Sequence, residues 1–294
     1  MSTDIRTEDR PFETPVHDVM GGAARREIGI HEHGLCALVD VMPRLVPVGK
    51  TADFAIVQAA RVSYGEGTKQ VSEDRGLIRY LMRHRHTTPL EMVEFKFHQV
   101  MPIFIARQWI RHRTANVNEY SARYSVVKDR FYVPAADGVR AQSAGNKQSS
   151  EGSVAEGDAE AFVNNLELNC ETAYRDYERA LQAGVGRELA RMLLPLNVYT
   201  EWYWKIDLHN LFHFLSLRMD PHAQQEIRDY ANAMFELIRP VAPVACEAFL
   251  DYRLNAMSLS ALEVESLRTG MPLATDNKRE REEWEAKRRR LEID

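Results

Sequence analysis

The chain lacks several things, and each shortage closes a class of function. Its 294 residues hold three cysteines, Cys36, Cys170 and Cys246, far apart and odd in number. No Cys-x-x-Cys pair exists, which argues against a zinc ribbon or a disulfide framework and for a reducing, cytoplasmic setting. No apolar run approaches the length of a membrane span, and no apolar signal core follows the polar first ten residues. There is no glycine-rich phosphate loop ending in Gly-Lys-Ser/Thr. The Gly184–Gly186 pair has Leu189 where a dinucleotide fingerprint needs its third glycine. His84, His86, His98 and His112 follow no zinc-ligand spacing, so no metal is expected. Excess positive charge is missing too. With 38 Lys and Arg against 43 Asp and Glu the net charge is −5, which disfavours a broad nucleic-acid or membrane face. Any anion site must therefore be local.

What is present is the composition of a globular protein, 45% hydrophobic and 28% charged, long enough to bury a sizeable core. Residues 1–34 are polar and read as an extension or surface arm. A buried strand is expected over 35–42. One helix opens near Thr51 and breaks at Gly65 and Gly67, and a second starts near Ser72. Thr88 before Pro89 has the pattern of a helix N-terminus. Val93, Phe95 and Phe97 alternate with polar residues, which is the strand period. Pro102 opens a helix through Trp109, whereas 114–125 has no helical stripe and reads as loop or irregular strand.

Residues 135–157 are rich in Gly, Ser and Ala and read as a mobile insertion. The helix after them puts Phe162, Leu166, Cys170, Tyr174, Tyr177 and Leu181 on one face, with Gly184 as its stop. Val198, Trp202, Trp204 and Ile206 suggest a strand. Asp207 caps the next helix, and Asp220-Pro221 starts another toward Arg239. Ser260 and Glu263 form a capping-box pattern. A C-terminal tail is expected over 271–294, nearly all charge from 276, with Glu283–Lys287 and Glu285–Arg289 at i,i+4 spacing. Strands and helices mix without a βαβ rhythm, so the fold class is α+β, with helices around a largely antiparallel sheet in one domain over 35–270.

Chemistry concentrates between Arg107 and Arg130. Arg107, Arg111, Arg113, Arg123, Lys128 and Arg130 stand against Glu119 and Asp129, a net +4 inside an acidic protein. Guanidinium forks suit phosphates. Trp109, Ile110, Tyr120 and Tyr124 interleave with the cations, which suits a flat stacked ligand better than a solvated loop. A single-stranded RNA binder would use the same mixture, but the net charge argues against it.

Arg111-His112-Arg113, seven residues, then Ser121 is a signature within RHRTANVNEYSARYS. Together with HTTPLE (His86–Glu91), PIFIARQW (Pro102–Trp109), ARMLLPLNVYT (Ala190–Thr200) and HFLSLRMDPHAQQEI (His213–Ile227), it resembles the flavin-dependent thymidylate synthases, in family order. The resemblance covers roughly 36–134 and 158–252. It implies a homotetramer with active sites shared between subunits, FAD as cofactor, dUMP as substrate, and NADPH and methylenetetrahydrofolate as co-substrates.

Carried over, Arg111, His112, Arg113 and Glu119 contact FAD, with Thr88 reaching in from a neighbouring subunit. Asp207, Leu208, His209 and His213 lie where further flavin contacts fall. Some members carry Asn and Arg where Asp207 and His209 stand, and Ala122 replaces a frequent Gly. The substrate set is Gln108, Trp109, Ile110, Arg111, the stretch Glu119, Tyr120, Ser121, Ala122 and Arg123, then Arg191 and Arg218. Arg218 takes the catalytic role, stabilising negative charge on the pyrimidine. Arg123 and Arg191 are phosphate candidates. Ser121 has no evident activating partner and reads as a phosphate or positioning contact. A diverged member that binds flavin without folate chemistry is the further alternative.

Overall fold

The protein was analysed as a computed structural model that describes residues 15–62, 74–143 and 150–292. Two compact units divide the chain, Met1–Phe249 and Leu250–Asp294.

The first unit is built on a five-stranded sheet. Its strands are β2 (Arg26–Ile30), β3 (Gly34–Met42), β5 (Glu94–Pro102), β6 (Asn116–Glu119) and β9 (Tyr199–Asp207), in spatial order β2-β3-β5-β9-β6. Every neighbouring pair is antiparallel, with an irregularity between Leu38 and Asp40. Two-stranded ribbons join β1 (Val16–Asp18) to β4 (Leu45–Pro47) and β7 (Ala141–Gln142) to β8 (Ser150–Glu151). Strand alternation decides which side chains enter the core. Phe95, Phe97, Gln99 and Met101 of β5 are fully buried, as are their β9 partners Ile206, Trp204, Trp202 and Thr200.

The helices of the unit are α1 (Asp53–Val62), α2 (Asp74–Arg83), α3 (Thr88–Glu91), α4 (Ile103–Trp109), α5 (Glu156–Gln182), α6 (Arg187–Ala190), α7 (Leu208–Arg218), α8 (Gln225–Ile238) and α9 (Pro243–Phe249). Helices α4, α7 and α8 pack on the sheet, and other helices of the unit pack around them. Trp109, at the end of α4, has no exposed surface. Its ring lies 5.3 Å from Trp204, 5.8 Å from Trp202 and 4.8 Å from Phe214. That aromatic cluster fixes where α4 ends, and the Arg111–Arg113 motif begins two residues later.

Several expected boundaries move for local reasons. The described part of the expected N-terminal arm supplies β2 and so joins the sheet. The segment 114–125 contains β6, which pairs with β9. Helix α3 is flanked by Thr87 rather than capped by Thr88, and no side chain caps it. The helix expected from Asp220 starts only at Gln225, because the Asp220 carboxylate takes the His222 N–H at 2.8 Å in a turn of its own. On α5 the expected apolar face is only partly covered: Cys170 and Tyr177 are buried, but Phe162 is 51% exposed. Gly184, with φ +83, ends that helix as expected. Gly65, Gly67, Ser72 and residues 144–149 lie outside the described residues.

The second unit holds α10 (Ala261–Thr269) and α11 (Lys278–Arg290). The capping box at Ser260 and Glu263 is formed in both directions. The tail forms i,i+4 pairs as expected but with other partners, Arg279–Glu283 at 3.0 Å and Lys278–Glu282 at 3.5 Å. Lys287 reaches both Glu263 oxygens, at 2.8 and 2.9 Å, and Glu285 pairs with Arg288 at 3.6 Å. Glu263 is nearly buried, so the contact satisfies a carboxylate that would otherwise be stranded.

Candidate functional site

Arg218 closes α7 and is half-buried. Its Nε donates to His112 Nε2 at 3.0 Å, and its Nη2 approaches the Gln108 carbonyl at 3.4 Å. Two parts of the predicted set, 106 residues apart, are thus in contact. Because His112 Nε2 accepts, the imidazole is neutral there. Burial, then the nearby positive charges of Arg218 and His213, pull its pKa down to about 4. Burial also lowers the Arg218 pKa from its usual high value. The His112 ring packs edge-on against Phe214 at 4.9 Å and lies 6.2 Å from His213. Gln108 itself is tied through its side-chain amide to Gln224 before α8.

A second group lines a cleft of about 190 Å³ between β6, the start of β9 and the turn after α6. Glu119, Tyr120, Ala122 and Arg191 face it, with Tyr199 and Thr200. Glu119 accepts the Thr200 hydroxyl at 2.6 Å, and the Tyr120 N–H donates to the Glu201 carbonyl at 2.7 Å. Ser121 is spent on the turn: its Oγ accepts the Arg123 N–H at 3.3 Å and its carbonyl accepts from Tyr124 and Ser125. No base contacts it among the described residues, in line with a positioning role. Arg123 pairs with Glu188 at 3.4 Å, and Arg191 Nε donates to the Glu188 carbonyl at 3.3 Å. Both sides of the Arg123–Glu188 pair are largely exposed, so it holds weakly.

The remaining residues gather along α7 or stand free. Asp207 caps α7 by accepting the Asn210 N–H at 2.9 Å, as the sequence predicts. His209 and His213, four residues apart, share one helix stripe. Thr88 is exposed on α3, which packs against α7. Arg111 and Arg113 are exposed and have no ion-pair or hydrogen-bond partner among the described residues. Ile110 is 42% exposed beside them. Trp109 and Leu208 have no exposed surface, so their side chains belong to the core and only their backbones can meet a ligand. Thr200 and Asp207 lie seven residues apart on β9, roughly 23 Å in an extended strand, so no uracil-sized ligand touches both ends.

The thiols offer no alternative chemistry. All three cysteines are buried and unpaired. Burial pushes Cys36 up to about 12 and raises Cys170 and Cys246 as well, so none forms a thiolate nucleophile at neutral pH.

Sequence reasoning passed over Thr200, Glu188 and Gln224. Only Thr200 left a signal: it is the polar member of the inward-facing Thr200, Trp202, Trp204, Ile206 alternation. Its partner Glu119 is 81 residues away.

The family model described as "thymidylate synthase complementing protein" matches residues 44–244. A flavin-dependent thymidylate synthase of Dictyostelium discoideum is 60% identical over 99% of this chain and 98% of its own length. Another from Gluconobacter oxydans is 51% identical over 87% of this chain and 83% of its own. Among solved structures, the UMP/dUMP methylase PolB from Streptomyces cacaoi, bound with 5-Br dUMP, superposes with a TM-score of 0.66 at 35% identity, covering 77% of this chain and 99% of that one. A matched core, buried inert thiols and an arginine held against the motif histidine agree with those likenesses: the chain belongs to the thymidylate synthase complementing protein family, the flavin-dependent thymidylate synthases.

Proposed function

We propose that the chain converts dUMP to dTMP by reductive methylation, with methylenetetrahydrofolate as one-carbon donor, FAD as hydride carrier and NADPH as reductant. The observation that carries this reading is Arg218, a half-buried guanidinium held against His112 of the signature segment and the Gln108 carbonyl just before it. The uracil nucleotide held by the PolB neighbour supports the substrate. A ring carbon of uracil becomes a nucleophile only when negative charge on the adjacent nitrogen and carbonyl is stabilised. A cation in a desolvated, preorganised position does that without reorganising at the moment of reaction. Arg123 and Arg191 take the phosphate, which competes the Glu188 carboxylate away from Arg123. Glu119, fixed by Thr200, and Tyr120 set the nucleotide's register.

The donor set fits FAD. Arg111 and Arg113 are partnerless cations suited to a diphosphate, and neutral His112 with the His209–His213 stripe suits a flat ring. Asp207 and the Leu208 backbone stand at the N-terminal end of α7, and Thr88 would come from a neighbouring subunit. Bound and reduced FAD supplies the hydride that completes the methyl group. The protein's residues orient that cofactor, exclude water and hold charge on the pyrimidine.

The active site is proposed to be shared in a homotetramer. The cleft within one chain is smaller than the roughly 300–1,000 Å³ of sites that enclose a whole ligand. Leu189, Met192, Leu193 and Leu196 beside it are 47–74% exposed, which supports their being covered by another copy. A visible spectrum of the purified protein tests the cofactor. Flavin absorbance that shifts on dUMP addition is expected. A protein that takes up no added FAD and oxidises no NADPH contradicts the reading.

A further inference from the structure

Resting on that reading of Arg218, we propose that His112 and the backbone carbonyl of Gln108 are a positioning pair that aims the Arg218 guanidinium at the pyrimidine. A guanidinium carries five N–H donors in one plane, arranged as edges. Nε–H and one N–H of Nη2 share the side edge. That edge is filled by His112 Nε2 at 3.0 Å and approached by the Gln108 carbonyl at 3.4 Å. The end edge, formed by Nη1 and Nη2, has no partner among the described residues. Two parallel donors are therefore presented in a fixed plane, the arrangement that recognises two adjacent acceptors of a planar ring.

The acceptors themselves are rigid. Gln108 O belongs to the last turn of α4, whose final carbonyls lack helical partners. The His112 N–H donates to the Trp109 carbonyl at 3.0 Å, which closes the turn between the two acceptors. Trp109 is locked in the aromatic core, and the Gln108 side chain is tied to Gln224. Phe214, one helical turn before Arg218, packs against the imidazole at 4.9 Å. An arginine without these contacts would have to be ordered by the substrate, at an entropic cost to binding. The contact works only with a neutral imidazole whose proton sits on Nδ1, and burial beside Arg218 and His213 keeps it so. This role differs from a direct flavin contact, because it acts on dUMP through Arg218.

A double-mutant cycle on the FAD-loaded protein tests the pair, with dUMP dissociation constant and turnover measured for His112→Leu, His112→Gln, Arg218→Ala and His112→Leu/Arg218→Ala. Compared at matched flavin loading, His112→Leu is expected to weaken dUMP binding by about tenfold or more. The amide oxygen of His112→Gln restores an acceptor and recovers most of that loss. In the Arg218→Ala background, His112→Leu has no further effect beyond about twofold. ¹⁵N spectra of the unmutated protein should give His112 an unprotonated Nε2 whose shift moves in Arg218→Ala. Independent, additive effects, a loss of flavin without a change in dUMP binding, or a protonated Nε2 overturn the proposal. Unchanged dUMP binding and turnover in Arg218→Ala alone overturn the prior reading of Arg218 instead.

Discussion

A charged or polar side chain is useful at a site when its surroundings fix its protonation and its direction together. His112 illustrates this. Its folded-state pKa of about 4 lies below the ordinary value of 6.5, so the folded protein holds it neutral. As pH falls below 6.5 the unfolded chain takes up a proton there that the folded chain refuses. The contribution to stability is complete above 6.5 and is lost as pH falls toward about 4. The groups facing the ring are Arg218, His213 and the neutral Phe214, and among the described residues no carboxylate offsets this effect. Melting temperature should therefore fall less on acidification in His112→Gln than in the unmutated protein. Parallel acid profiles for the two would contradict the assignment. At the proposed phosphate site the pairing is loose, since Glu188 meets Arg123 only at 3.4 Å in the open. Arg191→Ala is expected to raise the KM for dUMP by on the order of tenfold, with little change in melting temperature, because exposed charge adds little to folding. Steady-state kinetics and a thermal melt check both halves.

Elements were legible where the signal is local and lost where the partner is distant. Asp207 was readable as the cap of α7 because the N–H it accepts is three residues away. The capping box at Ser260 was readable for the same reason. Strand β2 was not, since Arg26–Ile30 is short, contains Gly29 and becomes a strand only by pairing with β3. The start of α8 was misplaced because Asp220 serves its own turn rather than the helix. Two contacts invisible in sequence carry testable weight. A methyl added at Gly34 would overlap the Tyr230 hydroxyl and the Ile30 carbonyl. Gly34→Ala should cost about 1–3 kcal/mol through overpacking, read from denaturant midpoints. Asp53, buried in α1, accepts the Val244 and Ala245 N–H groups at 2.9 and 3.0 Å and so caps α9 from 191 residues away. Asp53→Ala strands both donors and should cost about 2–4 kcal/mol. Asp53→Asn keeps an oxygen acceptor and should cost less. A loss below about 0.5 kcal/mol from Asp53→Ala would mean that α9 needs no such anchor.

For the whole molecule, the signature segments made the family legible but not the assembly of its parts. The Arg218–His112 contact spans 106 residues and the Glu119–Thr200 contact 81, and only the antiparallel order of β5, β9 and β6 brings them about. The two ends of β9 carry residues proposed to meet different ligands, and the exposed apolar rim at Met192 and Leu193 sits by the cleft lined by Glu119 and Arg191. Sharing between copies follows if that rim is an interface. Met192→Glu should then lower both the assembled fraction in light scattering and dUMP affinity, whereas a tetramer unaffected by it would place the interface elsewhere. The most direct test of the central claim is tritium release from dUMP labelled at the methyl-accepting carbon, measured with reduced FAD and methylenetetrahydrofolate for the unmutated protein and Arg218→Ala at matched flavin content. The expected result is release from the first, reduced by about a hundredfold or more in the second. Equal release from both, or none from the flavin-loaded unmutated protein, would contradict it.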